Sequence, residues 1–250
     1  MEYGLQPSGC DRPVVIFIHG LGMDKNFWTN PLETKIFAKN IPLKVFASTR
    51  PRPASIQSGK TLTIGNVPKK IDTLWTVLRD KGFNLVCWSQ KRPVGPVNAA
   101  VEELDEIMQR AARLFPGKPL ALIGHSRGGL IARKYMEREV SGIKALITLS
   151  SPHRGSSLSR IGKRLSPLSA FLKGILPKNM HGTVSGVLKN VMDLLDGSAL
   201  KELMPGSDFF RDLRDSAVDG INYLSFGGTK TELFTLYKWK KQGDELYTKP

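Results

Sequence analysis

The stretch LALIGHSRGGLIARKYM, residues 120–136, decides the fold of this 250-residue chain. It runs from an apolar segment, through the pentapeptide Gly124–Gly128 with Ser126 at its centre, into an amphipathic segment. The two patterns predict a buried strand, a tight turn and a helix. Glycines flank a turn residue where its backbone is strained and neighbouring chains approach closely. In this strand–turn–helix setting, the G-x-S-x-G pattern predicts that Ser126 is a nucleophile, the alternative being a structural turn serine.

Strand-like and helical patterns alternate on both sides of that stretch. We predict strands over residues 14–19, 44–48, 83–88, 119–124, 143–150 and 221–228. Helices are predicted over residues 24–38, from Pro68 to about residue 81, and over 97–114 and 128–139, with a loop over 49–66. This alternation implies right-handed βαβ crossovers. The sequence therefore predicts one α/β domain over residues 1–250, with a mostly parallel sheet and helices on both of its faces.

The end of the first predicted strand carries a second glycine-rich turn, His19-Gly20-Leu21-Gly22-Met23. In an open parallel sheet, functional sites form at the carboxyl ends of the strands. Glycines at this position let the backbone fold so that an N–H points into the cavity above the sheet. We expect the amides of Leu21 and Arg127 to form an oxyanion hole beside Ser126. The alternative is a plain strand-to-helix turn with a packed histidine.

The charge of the chain is strongly positive, with 37 Lys and Arg against 22 Asp and Glu, a formal net charge of +15. Such an excess favours anionic partners. The sequence has no RNP motif, zinc-finger spacing or arginine-rich block with aromatic residues, so we predict no nucleic-acid partner. Attraction to an anionic membrane surface and a generally solvated surface both stay open. No metal or organic cofactor is indicated.

Location is predicted from composition and from the N-terminal sequence. No apolar run reaches 18 residues, and the N-terminus lacks the basic and apolar regions of a secretory signal. Two cysteines do not make a disulfide framework. We therefore expect a cytoplasmic protein, associated with a membrane if its basic surface binds anionic lipid.

Residues 157–197 carry leucines and isoleucines at near-helical spacing, interrupted by Pro167 and Pro177. Basic residues lie among them, against only two aspartates. The pattern favours basic amphipathic helices that can lie on anionic lipid. The alternative is ordinary helices that pack on the core with solvated lysines.

Three segments, HGLGMDKNFW at 19–28, GHSRGG at 124–129 and LITLSSPHRGS at 146–156, together resemble the α/β-hydrolase superfamily. The resemblance is to its lipase-like and GPI-inositol-deacylase-like branch and covers about residues 13–226. It implies the α/β-hydrolase fold with a helical cap insertion at 157–197. It also implies hydrolysis of carboxylic esters, on ester or lipid substrates, through an acyl-enzyme at Ser126. Leu21 and Arg127 then supply the oxyanion hole, and His153 is structural.

The catalytic base is the missing part of this resemblance. Relatives follow the chain order Ser, acid, His, but no histidine lies beyond Gly182; the four are His19, His125, His153 and His181. The carboxylates considered as the acid are Glu137 and Glu139, in the helix after the turn, and Glu232 and Asp244, which no histidine follows. We expect a C-terminally truncated lipase-like domain without acid and base, and hence impaired hydrolysis. A non-catalytic remnant or acyl- or lipid-binding protein of the same fold is the alternative, and His181 or His153 as an improvised base is less favoured.

Overall fold

The computed structural model describes residues 1–4, 12–35, 47–48, 64–66, 72–156, 198–228, 238–242 and 245–249. The strands are β1 Glu2–Gly4, β2 Val14–Ile18, β3 Ala47–Ser48, β4 Ile64–Asn66, β5 Asn84–Cys87, β6 Leu120–His125, β7 Ile143–Leu149, β8 Asn222–Phe226, β9 Lys238–Gln242 and β10 Glu245–Lys249. The α-helices are α1 Asn26–Thr29, α2 Leu74–Asp80, α3 Val97–Leu114, α4 Arg127–Met136, α5 Ser198–Glu202 and α6 Asp208–Asp212, and a 3₁₀ helix covers Pro31–Glu33.

Six strands form the main sheet in the order β1-β5-β2-β6-β7-β8. Strand β1 is antiparallel to β5, and all other neighbours in this sheet are parallel. In the register, Phe17 of β2 pairs with Ile123 of β6, which pairs with Ile147 of β7. This confirms the mostly parallel sheet, in which the carboxyl ends of β2, β6 and β7 lie side by side.

Both faces of the sheet are covered by helices. Alternate residues of β2 point to opposite faces, as the strand period requires. Ile16 and Ile18 join the core cluster formed with α3 and α4, whereas Phe17 packs with Trp28 of α1 and Trp75 of α2. The Phe17 ring centroid lies 4.9 Å from that of Trp28 and 5.6 Å from that of Trp75. Strand β2 is apolar at every position because helices cover both of its faces.

The helix predicted over residues 24–38 is wrong in length. Helix α1 covers only Asn26–Thr29, and the 3₁₀ helix follows at Pro31. Asn30, between them, has φ −154° and ψ 83°. A proline disfavours the helical conformation of the residue before it, and this breaks the predicted helix at Asn30. Residues 36–38 lie outside the described part of the chain.

The predicted helix at Pro68 begins later. Thr73 caps α2: its side chain accepts from the Thr76 amide at 3.1 Å, and Thr76 Oγ1 accepts from the Thr73 amide at 2.9 Å. This reciprocal capping box, with threonine in place of the usual Glu, fixes Leu74 as the first helical residue. A capping box overrides the preference of proline for the first helical turn.

The second predicted strand and the loop after it also differ from expectation. Of residues 44–48, the structure describes Ala47–Ser48, which pair with β4 in a separate two-stranded sheet and not in the main sheet. Residues 64–66 were predicted to be loop but form β4. Strand β1, which pairs with β5 at the edge of the main sheet, was not predicted.

The segments that flank residues 157–197 lie against each other. The Ser156 amide donates to the Leu203 carbonyl at 2.9 Å. Gly155, at φ 88°, passes so close to Pro205 that a Cβ would lie 2.6 Å from the proline nitrogen. The predicted cap itself lies outside the described residues, but its two stems meet at one place. Among the described helices, none combines the length and the apolar character needed to cross a membrane.

Candidate active site

Ser126 occupies the turn between β6 and α4. Its backbone lies at φ 52° and ψ −123°, a conformation that non-glycine residues rarely adopt. The turn is held on both sides, because the Ser126 amide donates to the Leu149 carbonyl at 2.8 Å and its carbonyl accepts from Gly129 at 3.1 Å. A half-buried serine is thereby held in a strained turn at the start of a helix.

The glycines around Ser126 are required by contact between backbones. A Cβ on Gly124 would lie 2.4 Å from the Gly129 nitrogen, and one on Gly128 would lie 2.2 Å from the Ile18 carbonyl oxygen. These separations are far below contact distance, so β6, the first turn of α4 and the end of β2 pack directly against one another. Contact between backbones thus explains why glycine stands on both sides of Ser126.

The turn after β2 lies against the serine. A Cβ on Gly20 would be 3.2 Å from Ser126 Cβ. Gly22, at φ 68°, donates its amide to the Pro93 carbonyl at 2.9 Å, and no backbone acceptor within the described residues takes up the Leu21 amide. The Arg127 amide opens the first turn of α4, where helical N–H groups have no intrahelical acceptor. The turns after β2 and β6 meet at Ser126, and each contains a backbone amide, of Leu21 and of Arg127, without a backbone acceptor in the described residues.

His19 is buried and has its ring nitrogens occupied. Nε2 accepts the backbone N–H of Gln90 at 3.0 Å, and Nδ1 lies 3.0 Å from the Gly20 carbonyl oxygen. The pKa of His19 is lowered to about 4, mainly by burial, with smaller contributions in the same direction from Arg127 and His125. The side chain is thus a neutral packed histidine, as in the alternative considered for this turn.

His125 packs among aromatic side chains. Its ring stacks on Phe27, with centroids 4.3 Å apart, and meets Trp28 edge-on at 6.4 Å. Burial lowers its pKa to about 4. Its Nδ1 is buried without a hydrogen-bond partner in the described structure, close to Gly20. The His125 side chain therefore packs against the aromatic residues of α1 and is neutral.

His153 follows β7 and is held at both ring nitrogens. Arg133 Nη1 donates to Nδ1 at 3.2 Å, and Nε2 lies 3.0 Å from Thr148 Oγ1, which donates to Ser225 Oγ at 3.1 Å. Burial lowers the pKa of His153, as does Arg133, whereas Asp215 raises it. Arg133 lies almost two helical turns beyond Ser126, so these contacts support a structural His153 and not a base.

The carboxylates after the turn are also engaged elsewhere. Glu137 accepts from Lys134 Nζ at 2.6 Å and from the Arg214 amide, and Glu139 accepts from the Ser141 amide at 2.6 Å. Helix α4 ends at Met136, three residues short of the predicted end, so both carboxylates lie just past the helix and not within it. The other candidates, His181, Glu232 and Asp244, lie outside the described residues. Within the described chain, no three His, Cys, Asp or Glu side chains come together as a metal site would require.

The side chain of Arg127 is a feature that the sequence analysis missed. Its guanidinium is completely buried, with Nη1 donating to Gln90 Oε1 at 2.9 Å and Nη2 donating to the Gly95 carbonyl. Burial lowers the pKa of Arg127 to about 10, and two carboxylates, Glu202 and Glu103, oppose that shift. The G-x-S-x-G pattern leaves this position free, so it gave no signal that the side chain turns inward.

Comparisons with known proteins agree with this architecture. The family model described as serine aminopeptidase, S33, matches residues 89–189, a segment that contains the Ser126 turn. No curated protein matches the chain. The mature lipase of Bacillus licheniformis superimposes with a TM-score of 0.52 at 16% identity, over 90% of this chain and 69% of that one.

Two further structures are similar but much longer. The propeptide form of the Bacillus licheniformis lipase gives the same TM-score of 0.52 and 16% identity, over 90% of this chain and 38% of that chain. A phospholipase of Legionella pneumophila gives 0.48 at 19% identity, over 86% of this chain and 38% of its own. The chain thus spans just over a third of these two proteins. The sheet order and the likeness to the mature lipase show an α/β-hydrolase fold; the GPI-inositol-deacylase-like branch stays a prediction.

Proposed function

We propose that the chain is a serine hydrolase that cleaves carboxylic esters through an acyl-enzyme at Ser126. The observation that carries the proposal is the strained Ser126 backbone at φ 52°, held between two glycines that tolerate no Cβ. Strain of this kind persists only where the surrounding structure enforces it, and it concentrates at functional sites. The match of a serine hydrolase family model to the segment around the turn supports the same conclusion.

The chemistry follows from the two turns. Ser126 Oγ attacks the ester carbonyl carbon while its proton passes to a base, and the carbonyl oxygen becomes an oxyanion. The amides of Leu21 and Arg127, together with the positive end of α4, would stabilise that charge. The carbon–oxygen bond to the alcohol then breaks and the alcohol takes up the proton. Water hydrolyses the acyl-enzyme in the second step.

An ester or lipid substrate is the chemical class that we favour. The Leu21 side chain packs on an apolar cluster that includes residues of α5 and α6 and Leu203, so this side of the turn is hydrophobic and suits an acyl chain. The fold is shared with a lipase. We assign residues 157–197 as the cap over this region, and its basic residues as the part that contacts an anionic membrane surface.

The base of the proposed hydrolase is not assigned among the described residues, and His181, which lies outside them, is the histidine of this chain left to test. The other three histidines are engaged in packing or hydrogen bonds: His19 with Gln90, His125 with Phe27 and His153 with Arg133. Only His181, in the proposed cap, belongs to the part of the chain that the structure does not describe.

A non-catalytic protein of the same fold, which holds an acyl chain or lipid without turnover, is the second candidate. It is favoured by the engagement of all three histidines in the described residues, none of which forms a hydrogen bond with Ser126 there. A serine that no base deprotonates keeps only the contributions of the oxyanion hole and of binding.

Alanine variants of Ser126, His181 and His153 distinguish the two candidates on a short p-nitrophenyl ester. For a hydrolase with its base at His181, Ser126→Ala and His181→Ala should each lower turnover by ~10³-fold or more. His153→Ala, the matched control, should retain activity in proportion to its folded fraction. Slow hydrolysis that Ser126→Ala leaves unchanged would favour the acyl-binding candidate. Collapse in His153→Ala alone among the histidine variants would mean that His153, and not His181, serves as the base.

A further inference from the structure

The loop between β5 and α3, residues 88–96, is bonded to both turns of the candidate site. It receives hydrogen bonds from the turn after β2 and from the side chain of Arg127, which begins α4. Neither the sequence motifs nor the proposed reaction involves a residue of this loop.

Gln90 makes the contacts to both sides. Its backbone N–H donates to His19 Nε2 at 3.0 Å, and its side-chain nitrogen donates to the His19 carbonyl at 3.2 Å. The other side-chain atom, Oε1, accepts from Arg127 Nη1 at 2.9 Å. The buried side-chain amide of Gln90 thus connects His19, in the turn that contains Leu21, to Arg127, which directly follows Ser126.

Pro93 and Gly95 complete the connection through their carbonyl groups. The Pro93 carbonyl accepts the Gly22 amide at 2.9 Å and lies 3.5 Å from Arg127 Nη1. The Gly95 carbonyl accepts from Arg127 Nη2. Leu21 therefore lies between His19 and Gly22 in the chain, and both of these residues are hydrogen-bonded to the loop that also accepts from Arg127.

The guanidinium makes this connection rigid. The fully buried guanidinium finds its acceptors in this loop, at Nη1 and Nη2, whereas Nε has no partner within the described residues, and the group cannot shift without losing those bonds. Arginine presents its donors in a fixed planar fork. An apolar residue would fill the same space without fixing the distance between the two turns, so the charge serves orientation and not packing.

We propose that Gln90 and the side chain of Arg127 are positioning residues of the oxyanion hole, which set the separation of the Leu21 and Arg127 amides. The inference rests on the proposed function, because the amides matter only if charge develops beside Ser126. Gln90 touches no reacting atom; it acts through His19 and Arg127.

The test replaces Gln90 by methionine, which keeps the length of the side chain but neither accepts nor donates. Gln109→Met is the matched control, since Gln109 is exposed on α3 and bonds only Asp105. Both variants and the parent are compared in the rate of labelling by a fluorophosphonate probe, and in kcat and KM on one p-nitrophenyl ester. Gln90→Met should lower the labelling rate and kcat by about 10- to 100-fold with KM little changed, because misplaced oxyanion donors act on the transition state. Gln109→Met should match the parent.

A conservative variant separates positioning from folding. Gln90→Glu keeps an acceptor for Arg127, so its labelling rate should lie between those of Gln90→Met and the parent. If Gln90→Met does not fold, Gln90→Glu is compared directly with the parent and should label more slowly. Loss of rate only in proportion to the loss of folded protein, or an unchanged rate in Gln90→Met, would overturn the proposal.

Failure of the proposed function gives a different result. If the parent neither reacts with the probe nor hydrolyses the ester, the proposed hydrolase function is wrong. The positioning of the Leu21 and Arg127 amides by Gln90 is then tested by NMR chemical shifts of these amides. Shifts of the Leu21 and Arg127 amides in Gln90→Met, absent in Gln109→Met, support the connection. Unchanged shifts of both amides reject it.

Discussion

Gln90 donates its backbone N–H to Nε2 of His19 at 3.0 Å and thereby fixes the protonation of the imidazole. With Nε2 as acceptor, the proton lies on Nδ1, which faces the Gly20 carbonyl at 3.0 Å. A second proton on Nε2 would break the bond to Gln90 and place a charge in a fully buried position near Arg127. The neutral form of His19 is therefore part of the folded structure.

Stability should fall as the pH drops between 6.5 and 4. The folded pKa of His19 is lowered from 6.5 to about 4, so in this window the unfolded chain binds a proton that the folded chain excludes. The full effect of His19 is about 3 kcal/mol of unfolding free energy, present above the unfolded pKa and lost as the pH falls towards the folded one. Urea unfolding at pH 7 and pH 4.5 measures it. A midpoint that does not change over this range would contradict the prediction.

His125 offers a more selective test of the same linkage. His125→Phe preserves an aromatic ring against Phe27 and removes both the titratable group and the buried, unpartnered Nδ1. We expect a smaller loss of stability on acidification than in the parent, because burial lowers the pKa of His125 to about 4 as well. Equal pH dependence in the variant and the parent, again in urea, would show that His125 does not contribute.

Gly128→Ala should destabilise the chain far more than a glycine replacement at an open position. The new Cβ would lie 2.2 Å from the Ile18 carbonyl oxygen, so α4 and β2 must separate, at about 3 kcal/mol or more. Gly117→Ala is the control: it has φ 72° and nothing within 4 Å, so only backbone strain of about 1 kcal/mol applies. Similar unfolding free energies for the two variants would show that the turn tolerates a side chain.

Sequence patterns predicted the centre of the sheet because burial there leaves a strong signal. Strand β2 is apolar at every position, and α3 alternates buried and charged residues over its whole predicted span, Val97–Leu114. The signal fails where a local capping contact sets the boundary. The Thr73 cap makes Leu74 the first residue of α2, six positions beyond Pro68, and the conformation of Asn30 before Pro31 ends α1 early.

The site was predictable in its backbone but not in its side chains. Glycine spacing located Ser126 and the Leu21 turn, because backbone approach excludes every other residue there. No spacing rule connects Gln90 to Arg127, since the two residues are 37 positions apart and are brought together by parallel pairing of β5, β2 and β6. Inward-pointing arginine also runs against the expectation that charged side chains are exposed.

Glu202 should stabilise the start of α3. Its Oε2 accepts the Val97 amide at 2.8 Å, and Pro96, the N-cap residue, offers no side-chain acceptor. Its charge also favours the buried Arg127 cation. Glu202→Ala should therefore lower the unfolding free energy by about 1–2 kcal/mol. Glu106→Ala, an exposed position of the same helix, should change it by less than about 0.5 kcal/mol. Equal effects in urea would contradict a capping role.

The pKa of His153 should move in opposite directions when its two charged neighbours are removed. Arg133 lowers this pKa, so Arg133→Met should raise it; Asp215 raises it, so Asp215→Asn should lower it further. The Asp215 side chain is 89% exposed, and its ion pair with Arg133 contributes no more than about 1 kcal/mol of stability. Asp215→Asn should therefore stay folded while the histidine signal shifts. Titration of the imidazole Cε1–H resonance by NMR measures both variants against the parent. Shifts in the same direction would mean that the Arg133 contact does not hold His153 in its neutral form.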